Sequence, residues 1–178
     1  MSLAFPSLAV VSPGTPITSA LWMSNVYNGL TYLSNPPAAT LVQTSAATSL
    51  ANSTWTPISF DSSTFDNYGG HSNVTNTSRY TIAQAGKYLI TGNVAFAFNA
   101  GGDRAAKIMK NGAVLQGPYS LVGASGGHPT SVPTAGFILP CAIGDYLELA
   151  GYQNSGGSLN TLISVDQSSY LTAIWLSE

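Results

Sequence analysis

From residue 54 to the C-terminus, apolar and polar positions alternate in short runs, each bounded by Gly, Pro, Asn or Ser. Residues 55–61 alternate through Ile58 and Phe60, and residues 87–98 through Tyr88, Ile90, Gly92, Val94, Phe96 and Phe98. Further runs cover 79–82, 104–109, 113–116, 132–139, 145–152, 159–165 and 170–176. A period of two sends successive side chains to opposite faces of a strand, so these runs predict strands with one face hidden. Lys110-Asn111-Gly112 stands between two of them, and an Asn-Gly pair in that position predicts a tight β-hairpin.

The N-terminal part has a different texture. Trp22, Val26, Leu30 and Leu33 recur at spacings of four, four and three, which predicts one helix with a single apolar face. Thr15 is placed to cap it with Pro16 at the first helical position, and Asn35-Pro36-Pro37 stops it. Residues 1–14 read as an extended arm, because Pro6 and Pro13-Gly14 oppose regular helix; 39–43 reads as a short strand and 45–53 as a small-residue linker. About 8–10 short strands with no second helix define an all-β sandwich or barrel on one core. The division expected is an arm and helix over 1–51 and a β domain over 52–178, with no internal repeat.

Charge changes the picture. Only 7% of residues are Asp, Glu, Lys or Arg, against roughly 25% in an average soluble domain. Ser, Thr and Asn supply the polarity instead, 52 of 178 residues. With a mean hydropathy of +0.17 and little charge repulsion between copies, an oligomer is the expected state. A net charge of −2 without clusters excludes an electrostatic footprint for nucleic acid or acidic membranes. The single cysteine, Cys141, forms no internal disulfide. Residues 1–11 lack the basic start of a secretory signal, and no run approaches the roughly 20 apolar residues that cross a bilayer. Export from a cell is then expected only as part of a larger particle.

The order of the strands carries a resemblance. Tyr80-Thr81-Ile82-Ala83-Gln84-Ala85-Gly86-Lys87-Tyr88-Leu89-Ile90, continued by Val94 and Phe96, resembles the tumour necrosis factor and complement globular-head jelly rolls, where a Gly and an aromatic two residues later open a long core strand. Lys110-Asn111-Gly112 is similar to that family's central hairpin. Gly144-Asp145 before Tyr146-Leu147-Glu148-Leu149, and Ser169-Tyr170-Leu171-Thr172-Ala173-Ile174, are similar to its last turn and closing strand. The resemblance spans residues 52–178 and implies a jelly-roll β-sandwich and a homotrimer; no collagen-like stalk precedes it, and Ala173 stands where the family commonly has Gly. A second, shorter resemblance covers residues 14–28, Gly-Thr-Pro-Ile-Thr-Ser-Ala-Leu-Trp-Met-Ser-Asn-Val-Tyr-Asn. This stretch is similar to the openings of small virion proteins of tailed bacteriophages.

Catalytic patterns are thin. Gly123-Ala124-Ser125-Gly126-Gly127 fits G-x-S-x-G but lacks the strand-to-helix context of a nucleophile elbow, and neither histidine follows Asp145 or Asp166. His71 and His128 share no zinc-like spacing with each other or with Asp66 and Asp103, and Asp61, Asp66 and Asp103 read as turn formers rather than calcium ligands. Asp145 and Glu148 are three apart in a strand and face opposite sides, which opposes an acid pair for glycoside hydrolysis. Sequons at Asn52, Asn73 and Asn76 are expected by chance in such a composition. Tyr88, Phe96, Phe98, Tyr146, Tyr152, Tyr170 and Trp175 read as core or trimer-axis packing. No catalytic, cofactor or metal site is expected.

The resemblances together imply a structural protein of a phage virion, made in the host cytoplasm without a signal peptide: a homotrimeric capsid decoration or head-fibre protein. It would anchor to a major capsid protein or another virion protein through Phe5, Leu8, Ile17, Leu21, Trp22, Val26 and Leu30. An alternative is a minor tail or receptor-binding protein whose loops, with Tyr68, His71, Asp103, Arg104, Tyr119 and His128, recognise a host surface glycan or protein. A carbohydrate-active enzyme is the remote third.

Overall fold

The computed structural model describes residues 11–178. Its helical segment has three parts, α1 (Ser19–Trp22), a π-helical turn over Met23–Tyr27, and α2 (Asn28–Ser34). The strands are β1 (Ala38–Val42), β2 (Ser49–Leu50), β3 (Thr56–Pro57), β4 (Ser62–Asp66), β5 (Arg79–Thr81), β6 (Gly86–Phe96) and β7 (Asp103–Lys110). They continue as β8 (Ala113–Gly123), β9 (Thr130–Pro133), β10 (Phe137–Cys141), β11 (Tyr146–Gln153), β12 (Leu159–Asn160) and β13 (Tyr170–Ser177). All pairings are antiparallel. The first sheet runs β10-β6-β13-β1-β4 with β9 also on β6; the second runs β3-β11-β7-β8 with β5 also on β11; β12 and β2 form a small ribbon. The result is a jelly-roll sandwich. The described residues form thirteen strands where 8–10 were expected: β2 and β4 fall outside the expected runs, the 132–139 run divides into β9 and β10, and β3 and β12 keep two residues each of 55–61 and 159–165.

Alternation decides the interior. Tyr88, Ile90, Val94 and Phe96 of β6, Leu171, Ala173 and Trp175 of β13, Ala106 and Ile108 of β7, and Leu147 and Leu149 of β11 all enter one core. Each large apolar side chain hidden this way contributes about 1.5–3 kcal/mol. Phe98 lies past the end of β6 and is exposed, so it does not join the core aromatics as the pattern had suggested; Tyr146, Tyr152 and Tyr170 are half-buried.

Two boundaries differ from the expectation. β1 sits inside the first sheet between β13 and β4, and Leu50 is fully buried, so residues assigned to the N-terminal segment are integral to the sandwich. The 39–43 run was read as a strand, but nothing in its residue types marks a place inside the first sheet rather than in the N-terminal segment. The helix begins at Ser19, not Pro16: Thr18 is the N-cap, its hydroxyl accepting from Leu21 N at 3.2 Å. Thr15 is engaged in the preceding turn, donating to the Ser12 carbonyl at 2.7 Å.

The π-helical turn matters for the face presented. It inserts a residue into the helical repeat and rotates the later turns about the axis; Leu30 and Leu33 after it are exposed, as Trp22 is before it, Val26 is half-buried, and Tyr32 is the one fully hidden helix residue. Tyr32 meets the Trp175 ring edge-on, centroids 5.1 Å apart at 88°. The helix is thereby fixed to one end of the sandwich. At that end lie Gly86, Cys141, the 111–112 hairpin and the start of β11, while the loops 97–102, 124–129 and 154–158 cluster at the opposite end.

Candidate functional site

Five of the seven proposed anchoring residues occupy the helix end. Ile17, Trp22 and Leu30 are exposed, Leu21 and Val26 half-buried, and Phe5 and Leu8 lie outside the described residues. No charged side chain precedes Asp61 in the sequence, so this apolar surface is also uncharged. No helix among the described residues is long and apolar enough to cross a membrane.

The six loop candidates are not brought together. Tyr68 and His71 lie near the helix end and are half-buried; the His71 and Gly70 backbone N–H groups donate to Asp66, and His71 Nδ1 lies 2.9 Å from the Arg79 carbonyl. Asp103, Arg104 and His128 sit at the other end, and Tyr119 lies in the body of β8 rather than in a loop. Arg104 was expected to be an exposed contact and is instead fully buried. Its Nη1 donates to the carbonyls of Gly101 and Asp103, both at 2.9 Å, and its Nη2 to that of Asn99 at 3.0 Å. The guanidinium is a clasp for the 97–102 loop. Asp103 meets Asn154 through both its backbone N–H and its carboxylate, tying that loop to the next one. His128 is exposed in the glycine-rich 124–129 loop, which contains Ser125 with its backbone N–H on Thr130 at 3.3 Å and no helix after it.

The acidic residues serve turns and ion pairs. Asp145 forms an ion pair with Lys110 at 2.7 Å, and accepts from Asn111 Nδ2 and the Ala142 N–H at the same distance. Lys110 first, then Asn111, pull the carboxyl down to about 2. Glu148 faces other partners, Arg79 at 3.3 Å and the Ser78 hydroxyl at 2.7 Å. Burial alone would raise the Asp61 carboxyl, but the Ser45 hydroxyl and the N–H groups of Thr44, Ser45 and Ala46 outweigh it and hold it well below the carboxylate range. Among the described residues no three His, Cys, Asp or Glu side chains stand together as a metal site.

These carboxyls set an acid limit. A folded-state value below the unfolded one means the stabilisation is complete above about pH 4 and is lost as pH falls toward 2. We expect the urea midpoint to drop between pH 6 and pH 3, and to drop less in Asp145→Asn. An equal drop in both would remove Asp145 from the account.

Three further surfaces carry no signal in the sequence. The outer face of the first sheet is uncharged along its middle: Thr40 and Thr172 share a hydrogen bond of 3.1 Å, Thr91 is the next partner across, and Leu89 and Ile174 pair in the adjacent row. Beside it, the edges of the two sheets expose Val114, Leu121 and Val122 on β8 and Ile138 on β10. On the outer face of the second sheet, Trp55, Tyr152 and Tyr119 form an aromatic cluster around Lys107. Only the strand register assembles these groups, and no single segment reveals them.

No protein-family model matches the chain, and no curated protein sequence matches it. Solved structures do share the fold. The globular domain of zebrafish complement 1qA aligns over 80% of this chain and 98% of its own, at a TM-score of 0.56 and 11% identity. Murine APRIL aligns over 78% and 99%, at 0.57 and 13%, and the Eiger TNF from S. frugiperda over 80% and 94%, at 0.54 and 14%. The chain therefore has the jelly-roll fold shared by tumour necrosis factor and complement globular domains. At such identities the likeness concerns fold alone.

Proposed function

We propose that this is a homotrimeric structural protein of a tailed-phage virion, a capsid decoration or head-fibre protein that docks through its N-terminal helix and arm. The observation that carries the reading is the separation of ends. An uncharged helix with Ile17, Trp22 and Leu30 in solvent is fixed to one end by Tyr32, and the glycine-rich loops occupy the other. Exposed apolar clusters of this kind mark association surfaces. The trimer is supported by two patches that do not face each other, the uncharged outer face of the first sheet and the apolar β8/β10 edge. A contact between unlike patches is head-to-tail, and it closes into a ring when the rotation allows.

Native mass spectrometry is expected to give three chains per particle, and a stable lone subunit removes the trimer. For docking, Trp22→Ala with Leu30→Ala is expected to lower binding to virions lacking the protein at least tenfold, with trimer mass and melting unchanged. Unaltered binding removes the anchoring role. Deletions must stop before Tyr32, because loss of that ring uncovers Trp175 and confounds docking with folding.

A further inference from the structure

Strand pairing on the outer face of the second sheet puts four side chains side by side. Lys107 of β7 pairs with Tyr119 of β8 on one flank and Ala150 of β11 on the other. Tyr152 pairs with Ala105, and Trp55 stands beside Tyr152, since its neighbour Thr56 pairs with Gly151. The Trp55 ring lies 5.3 Å from Tyr152 and 6.1 Å from Tyr119, centroid to centroid, and the Lys107 ammonium sits 4.0 Å above it. Tyr119 remains half exposed.

Lys107 is the anomaly. Arg79 pairs with Glu148, Lys110 pairs with Asp145, Arg104 donates to three carbonyls, and Lys87 is exposed. Lys107 is 8% exposed and, among the described residues, meets neither a carboxylate nor a carbonyl; its partner is an aromatic face. Desolvation lowers its affinity for the proton, so its charge is held at a cost to folding. A methionine would fill the same space without that penalty. A lysine 8% exposed and without a carboxylate partner, at the centre of a surface aromatic cluster, points to a ligand.

We infer that this face is a saccharide-binding platform for acidic sugars, on which the apolar C–H face of a sugar ring lies against Tyr119 and its carboxylate meets the Lys107 ammonium. Fixed aromatic area supplies apolar contact and one charged group orients the ligand. The anion follows from charge complementarity, because Lys107 lacks a counter-ion. The saccharide follows from Tyr119, whose flat exposed ring directly opposite the cation matches one sugar ring; cross-strand partners of this kind stand about 5 Å apart at Cβ. This inference deepens the host-glycan alternative and is independent of the trimer and of particle docking.

The test is calorimetric titration of the intact trimer or whatever assembly forms, with sialyllactose, oligogalacturonate and hyaluronan fragments, against maltoheptaose and polyglutamate. At least one acidic saccharide is expected to bind, with maltoheptaose and polyglutamate at least tenfold weaker. Lys107→Met and Tyr119→Ala are each expected to weaken binding at least tenfold, with the melting temperature of Lys107→Met equal to or above that of the parent. Should Lys107→Met fail to fold, Tyr119→Ala decides alone. Absence of binding across the three acidic saccharides, equal binding of maltoheptaose or polyglutamate, or full binding by a folded variant overturns the inference. None of these results bears on the mass of the assembly, so its failure and that of the virion reading are distinguishable.

Discussion

Replacing Arg104 by Ala is expected to cost about 3–5 kcal/mol in folding stability, comparable to breaking a buried ion pair. Three effects add. The carbonyls of Asn99 and Gly101 lose the guanidinium donors and that of Asp103 keeps only the Asn154 N–H at 3.4 Å, and an acceptor left buried and unsatisfied costs about 1–3 kcal/mol unless water reaches it. The largest fully buried side chain in the structure disappears, leaving a void. The 97–102 connection between β6 and β7 loses its clasp, so protease cleavage there is expected to rise. Arg104→Lys keeps a charge but not the planar fork, and one ammonium cannot span carbonyls served by two separate nitrogens, so less than half the loss is recovered. Urea unfolding of the three proteins checks this. A loss under about 1 kcal/mol for Arg104→Ala would mean that the carbonyls rehydrate and that the clasp is dispensable.

Arg104 also shows where a sequence misleads. A charged residue in a Gly-Gly-Asp-Arg stretch reads as surface, and nothing local reveals three carbonyls converging on it. Strands were legible because their burial alternates, as in β6, where Tyr88, Ile90, Val94 and Phe96 point inward. The hairpin was legible because its chemistry is local: Asn111 and Gly112 both adopt positive φ, 53° and 74°. The helix was legible in existence but not in phase: its buried residue is Tyr32, off the exposed face of Trp22, Leu30 and Leu33, and a π-helical turn within it leaves no mark in residue types. β1 was legible as a short strand over 39–43, but its place between β13 and β4 was not, because Ala38 and Ala39 are covered without being large. The Trp55, Tyr119 and Lys107 cluster escaped for a different reason. Its members come from three separated segments, and register, which long-range packing sets, is the feature that joins them.

Gly86→Ala is expected to be nearly as damaging, at about 3–4 kcal/mol, by summing a strained backbone and an overpacked site. Gly86 has φ +146°, a conformation L side chains rarely adopt, and a Cβ there would stand 2.5 Å from the Ser177 carbonyl and against the Trp175 indole. Trp175 has little room to yield. Its Nε1 donates to the Ala85 carbonyl at 3.0 Å, and its ring is the surface on which Tyr32 seats the helix. The damage is therefore expected to travel: besides the lower melting temperature, amide exchange over residues 28–34 should accelerate as the Tyr32 contact loosens. Gly14→Ala provides the comparison. Gly14 has φ +86° but nothing within 4 Å of an added Cβ, so only the conformational cost of about 1–2 kcal/mol applies, and that in a segment outside the core. If Gly86→Ala and Gly14→Ala melt alike, Trp175 moves aside freely and the helix is not held through it. If only Gly86→Ala falls, the glycine that opens β6 is there to let the closing strand's indole lie against the backbone, and the seat of the helix depends on it.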